Sequence, residues 1–141
     1  MNKPSFSPLL SAMHVSTSAM QTQNQRILLI SQNLAHAGMR SNPKTPPYQR
    51  QVLSFESVFD KKLQTEVVRV KKIAKDQTPA SRVYSPGDPS ADKDGYVLES
   101  NVKSMIELAD MREAGRSHEA NLRAFEKILS MMQNTISLLK N

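Results

Sequence analysis

Cysteine and tryptophan are both absent from the 141 residues. The first absence removes disulfide staples, thiol catalysis and cysteine-based zinc sites together, while leaving the compartment open. Aromatic residues make up only 5% of the chain against 8 methionines, so its packing must rely on flexible, adaptable side chains. Acidic residues are missing from the first 55 positions, where Lys3, Arg26, Arg40, Lys44 and Arg50 hold much of the net charge of +6. Only two of these fall within the first 39 residues, too sparse for a phosphate-binding surface, so nucleic acid is not an expected partner. Long apolar runs are lacking as well. The longest, Ile27-Leu28-Leu29-Ile30, falls far short of the roughly 20 residues of a membrane span, and the start Met-Asn-Lys-Pro-Ser-Phe-Ser-Pro holds no signal-peptide core.

What is present is a pair of long, Pro-free amphipathic segments at the two ends. The N-terminal stripe runs Leu10, Met13, Thr17, Met20, Asn24, Ile27, Ser31, Leu34, and the C-terminal one Ala114, Ser117, Asn121, Ala124, Ile128, Met131, Thr135, Leu138. Alternating steps of three and four residues describe a coiled-coil seam, and the small polar residues interrupting it can fix register and partner. Folded back on each other, the stripes match when paired residue numbers share a constant sum. Leu34 then meets Ser117, Ile27 meets Ala124 and Met13 meets Leu138, with His36 and His118 within one helical turn of each other.

Between these ends the signal changes. Residues 1–8 read as a disordered tail, 9–38 as a helix closed by Gly38, 39–99 as a small β-rich middle with loops, and 100–141 as a second helix capped near Ser100 or Asn101. Within the middle, Arg50–Phe55, Val67–Ala74 and Ser81–Tyr84 read as strands. A helix over Leu53–Leu63 is an open alternative there, since Phe55, Val58, Phe59 and Leu63 share one helical face. The expected fold is therefore mainly α: long terminal helices in an antiparallel coiled-coil hairpin, with a small outer domain of short strands.

Chemistry is poorly represented. Ser90, Asp92, Asp94 and Gly95 imitate the start of a calcium loop, but the position that needs a bidentate Glu holds Asn101, so a hydrogen-bonded Asx turn is expected instead. His14, His36 and His118 lack metal-ligand spacing or a nucleophile signature. No catalytic, cofactor or metal site is expected, and the chain reads as a non-enzyme. The expected functional residues are those of a subunit interface: Leu10, Met13, Met20, Ile27, Asn33 and Leu34 on the first helix, with Asn121, Ala124, Ile128, Met131 and Leu138 on the second.

In order along the chain come Asn33-Leu34-Ala35-His36-Ala37, then Thr45-Pro46-Pro47-Tyr48, then Tyr48-Gln-Arg-Gln-Val-Leu-Ser-Phe-Glu56. They are followed by Arg82-Val-Tyr-Ser-Pro-Gly-Asp-Pro-Ser-Ala-Asp-Lys-Asp-Gly-Tyr-Val97 with Asn101-Val102, and by Arg116-Ser-His-Glu-Ala-Asn121. The set resembles the flagellar basal-body rod proteins, and within them the proximal rod proteins of the FlgC type. Against that pattern, His36 stands where Asn is usual and His118 where Tyr is usual. The resemblance implies a bacterial flagellar structural protein, exported without a cleaved signal through the type III apparatus and assembled in the periplasmic rod. It also implies terminal helices that self-associate, an outward-facing middle domain, and a torque-transmitting drive shaft. Implied partners are further copies of the chain, other rod proteins, the hook-basal body junction protein, the MS-ring base and the export apparatus, with no cofactor and no direct membrane insertion. The alternative is a soluble cytoplasmic coiled-coil adaptor or chaperone.

Overall fold

The computed structural model describes residues 8–139, so the expected tail lies almost wholly outside the described residues. Two long helices, α1 (Pro8–Ala35) and α2 (Ser104–Leu139), enclose in sequence five strands: β1 (Arg40–Ser41), β2 (Gln51–Asp60), β3 (Thr65–Lys75), β4 (Ser81–Tyr84) and β5 (Tyr96–Glu99). Pro8 suits the first turn of α1, where its missing N–H would have had no partner. The helix ends at Ala35, and Gly38 follows at φ +71°, a left-handed conformation that glycine adopts without a Cβ penalty.

The strands form two small antiparallel sheets, β1-β5-β4 and the hairpin β2-β3. The segment Leu53–Leu63 is strand up to Asp60 rather than helix, because β3 supplies a ten-pair ladder from Gln51↔Lys75 to Asp60↔Thr65, with a bulge between Ser54 and Phe55. Neither β1, only two residues long, nor β5 is read as a strand from the sequence. They are fixed by pairing, Arg40 to Glu99 and Ser41 to Leu98, and by the fully buried Val97. In the turn before β5, the Asp92 carboxylate accepts the N–H groups of Asp94 and Tyr96 at 3.0 and 2.8 Å, which is the expected Asx turn. Gly95 at φ +78° closes that turn, and a Cβ there would sit 2.9 Å from the Tyr84 ring.

Helix α2 starts at Ser104, not at Ser100 or Asn101. Asn101 is drawn into the middle instead: its Oδ1 accepts the Arg50 N–H at 2.6 Å, and its Nδ2 donates to the Thr78 carbonyl at 2.9 Å. The apolar core is small: Leu29, Ile30, Val67, Val97, Val102 and Ala114 are its buried members.

The hairpin β2-β3 lies along α1, held by a ladder of helix side chains. Ser11 donates to the Leu63 carbonyl at 3.2 Å, Ser18 accepts the Val68 N–H at 3.4 Å, and Thr22 donates to the Val68 carbonyl at 3.2 Å. These residues recur on one face of the helix. Of the polar residues in the expected α1 seam, Thr17 and Ser31 instead bond back to the carbonyls of Met13 and Ile27 in their own helix.

The two helices pack together, but in another register than the stripes suggest. Asn33 bonds Glu107 at 3.1 Å, while Arg26 reaches Glu113 at 3.5 Å and Asp110 at 3.8 Å, so paired positions run in opposite order along α1 and α2. Relative to the expected pairing of Leu34 with Ser117, α2 is displaced by about three turns, roughly 16 Å. Apolar residues repeating every three or four positions fit several such registers equally well, and it is the buried polar pairs that select one. The expected His36–His118 proximity is lost with the old register. His36 stacks on Tyr48 with ring centroids 4.1 Å apart, while His118 lies roughly 16 Å along α2 from Glu107.

Candidate functional site: an assembly interface and its polar anchor

Where α1, β2 and α2 converge, Asn33 is 1% exposed and Glu107 is fully buried. The Asn33 amide is completely used: Nδ2 donates to the Gln51 carbonyl at 2.8 Å and to Glu107, while Oδ1 accepts the Gln51 N–H and the Tyr48 hydroxyl, each at 2.9 Å. A side chain so occupied mimics a missing strand neighbour for the start of β2. The structure thus moves Asn33 from the expected subunit interface to the interior of its own chain.

Arg50 supplies the cation that the buried carboxylate needs. Its Nε donates to Glu107, its Nη2 to Asp110 at 3.0 Å, and its Nη1 lies 3.6 Å from Asp76. Burial pulls the Arg50 guanidinium toward its neutral form, but the hydrogen bond to Glu107 and the charges of Glu107, Asp110 and Asp76 outweigh it and hold the group above its ordinary value. Tyr48 is raised too, first by burial and then by the Glu107 charge. Asp76 is held below the usual carboxylate range, chiefly by the Thr78 hydroxyl and N–H and then by Arg50. The cluster is saturated with internal partners, and among the described residues no group of three or more potential metal ligands occurs. It is an anchor that sets helix register.

Apolar side chains remain exposed on both helices. On α2 the buried and half-buried positions recur at Glu107, Met111, Ala114, His118, Asn121, Phe125, Ile128 and Met132, marking the face turned to α1. Beside it runs a second row at strict seven-residue spacing: Leu108, Gly115, Leu122, Leu129 and Ile136, whose four large members are 36–52% exposed. On α1 the face carrying Asn33 and Arg26 also holds Ala12, Ser16 and Ala19, small residues suited to close approach. The expected stripe Leu10, Met13, Met20, Ile27, Leu34 flanks that face and stays half-buried. Of the expected α2 residues, Asn121 and Ile128 are half-buried, whereas Ala124, Met131 and Leu138 are exposed. The sequence reading missed the Leu108–Ile136 row, although its spacing of seven was visible, and it missed Arg50, Glu107 and Tyr48, which carry no periodic signal.

The C-terminal region, residues 93–138, matches the family described as "Flagellar basal body rod FlgEFG protein C-terminal". Over 136 residues, 94% of this chain and 96% of the relative, it is 40% identical to the flagellar basal-body rod protein FlgC of Agrobacterium fabrum. The chain belongs to the FlgC family of flagellar basal-body rod proteins. FlgC of Salmonella typhimurium is 32% identical over 92% of this chain and 97% of its own, and FlgC of Buchnera aphidicola from Acyrthosiphon pisum is 30% identical at the same coverage. FlgC similarity therefore takes in both helices and the middle together, the three parts that the Asn33–Arg50–Glu107 anchor ties to one another.

Proposed function

We propose that the chain is a structural subunit of the bacterial flagellar basal-body rod, and that its terminal helices form an antiparallel hairpin completed as a coiled coil by neighbouring subunits. The carrying observation is the apolar side of the helix pair. In two right-handed helices running in opposite directions, the half-buried α1 stripe and the Leu108–Ile136 row fall on the same flank, opposite the hairpin β2-β3. The proposed interface residues are accordingly Leu10, Met13, Met20, Ile27 and Leu34 with Leu108, Leu122, Leu129 and Ile136, joined by Ala124, Ile128, Met131 and Leu138 along α2. Such a contiguous uncovered face in a small chain is the mark of a binding surface.

The same reading divides the chain into two rod helices and an outer middle domain carrying the two sheets. It makes the partners other rod components and further copies of the chain, and places the subunit in the proximal part of a torque-bearing shaft. The MS-ring base and the hook-basal body junction protein are proposed neighbours at its boundaries. Export through the flagellar type III apparatus fits the sequence, and no described helix is long and apolar enough to cross a membrane. The adaptor alternative has no observation in its favour. The test is fractionation of a tagged chain: it should accompany purified basal bodies, and deletion of its gene should abolish rods. A tagged chain found only in the cytoplasm would refute the proposal.

A further inference from the structure

A second surface, with exposed apolar side chains of its own, lies away from that flank. Between α1 and the hairpin runs an open groove of about 930 Å³, floored by Leu53, Val68, Val70 and Ile73 and walled on α1 by Leu28 and Leu29 among polar side chains such as Gln21 and Gln25. Leu28 and Ile73 are 61% and 55% exposed, large apolar side chains that nothing among the described residues covers. We infer that this groove receives the C-terminal half of α2 from a second copy of the chain, a contact that rests on the rod-subunit reading and specifies which surface mates with the Leu108–Ile136 row.

Two observations favour this occupant. The groove follows α1 from His14 to Gln32, roughly 27 Å, and the stretch Leu122–Ile136 is about 21 Å long, so the apolar row fits within it. With Asn33 level with Glu107, the described start of α1 at Pro8 lies near residue 132, and positions 133–139 of α2 are all exposed. The end of α2 thus extends past the described part of α1, with Ile136, Leu138 and Leu139 exposed. A row on one copy seated in a groove on the next is a heterologous contact, and such contacts propagate into an open helical assembly rather than closing as a two-fold dimer.

The chain's lack of cysteine allows a clean test. Leu28→Cys and Leu129→Cys are introduced on separately tagged chains, co-expressed, and treated in isolated basal bodies with a short bismaleimide. The expected product is a mixed dimer bridging the two tags. Gln25→Cys with Gln133→Cys, both at exposed polar positions, repeats the measurement without touching an apolar side chain. Dimers formed only between two Leu129→Cys chains, adducts only to a different protein, or no mixed dimer from either pair would each overturn the groove assignment. A tagged chain without cysteine is followed in parallel. Its absence from the basal bodies would sink the rod reading itself, whereas its presence without a mixed dimer sinks the groove alone.

Discussion

Glu107 is fully buried, and among the described residues only Arg50 offers it a full positive charge. Replacing Arg50 by Ala strands that carboxylate, and breaking a buried pair from one side costs about 3–5 kcal/mol. The expected outcome is a lower urea midpoint of similar magnitude in stability, with loss of the α1–α2 register; an Arg50→Ala chain as stable as the parent would show the anchor to be idle. Asn33→Ala removes four hydrogen bonds at once and leaves the Gln51 N–H and carbonyl without partners, at about 2–4 kcal/mol. Acid acts on the same neighbourhood through Asp76. Its native value lies below its unfolded one, so its contribution is complete above the unfolded value and is lost as pH falls through the native value. Acid unfolding should therefore steepen below about pH 4, and Asp76→Asn should flatten that limb of the stability–pH curve. Tyr48 has the opposite sign: its raised value gives a contribution that is complete below its unfolded value and lost as alkaline pH rises through the native one.

At the scale of elements, the hairpin β2-β3 depends on α1 for the outer edge of β3. Thr22→Ala combined with Ser18→Ala withdraws both helix partners of Val68, at about 1 kcal/mol each. Hydrogen exchange at the Val68 N–H should accelerate while α2 amides keep their protection; unchanged exchange at Val68 would contradict the ladder. The same element shows where sequence reading stops. Long helices were legible because Leu10, Met13, Met20 and Ile27 repeat at helical spacing, and β3 because Val67, Val68, Val70 and Ile73 concentrate in one stretch. The register was not legible, since a repeat of three and four fits many offsets and the deciding Asn33–Glu107 pair involves single polar residues 74 positions apart. The anchor was hidden for the same reason. Arg50 sits in a loop before a strand, and only folding brings it to a carboxylate on α2.

For the whole molecule, the hairpin covers α1 on one side, and the helix pair exposes apolar residues on the other. Leu129→Asp and Ile27→Asp should each leave secondary structure intact by circular dichroism yet abolish rod assembly and motility, because a carboxylate in a closed seam has no partner. Motile cells carrying either variant would contradict the proposed interface. The strict spacing of seven from Leu108 through Leu122 and Leu129 to Ile136 carries a mechanical corollary. On a straight helix such a row drifts by about 20° per heptad, so over this span it turns through about 80°. Neighbours can follow it only by winding left-handedly around one another. A bundle wound in one hand tightens under twist of one sense and loosens under the other, so a shaft built from these helices should be torsionally stiffer in one direction of rotation than in its reverse.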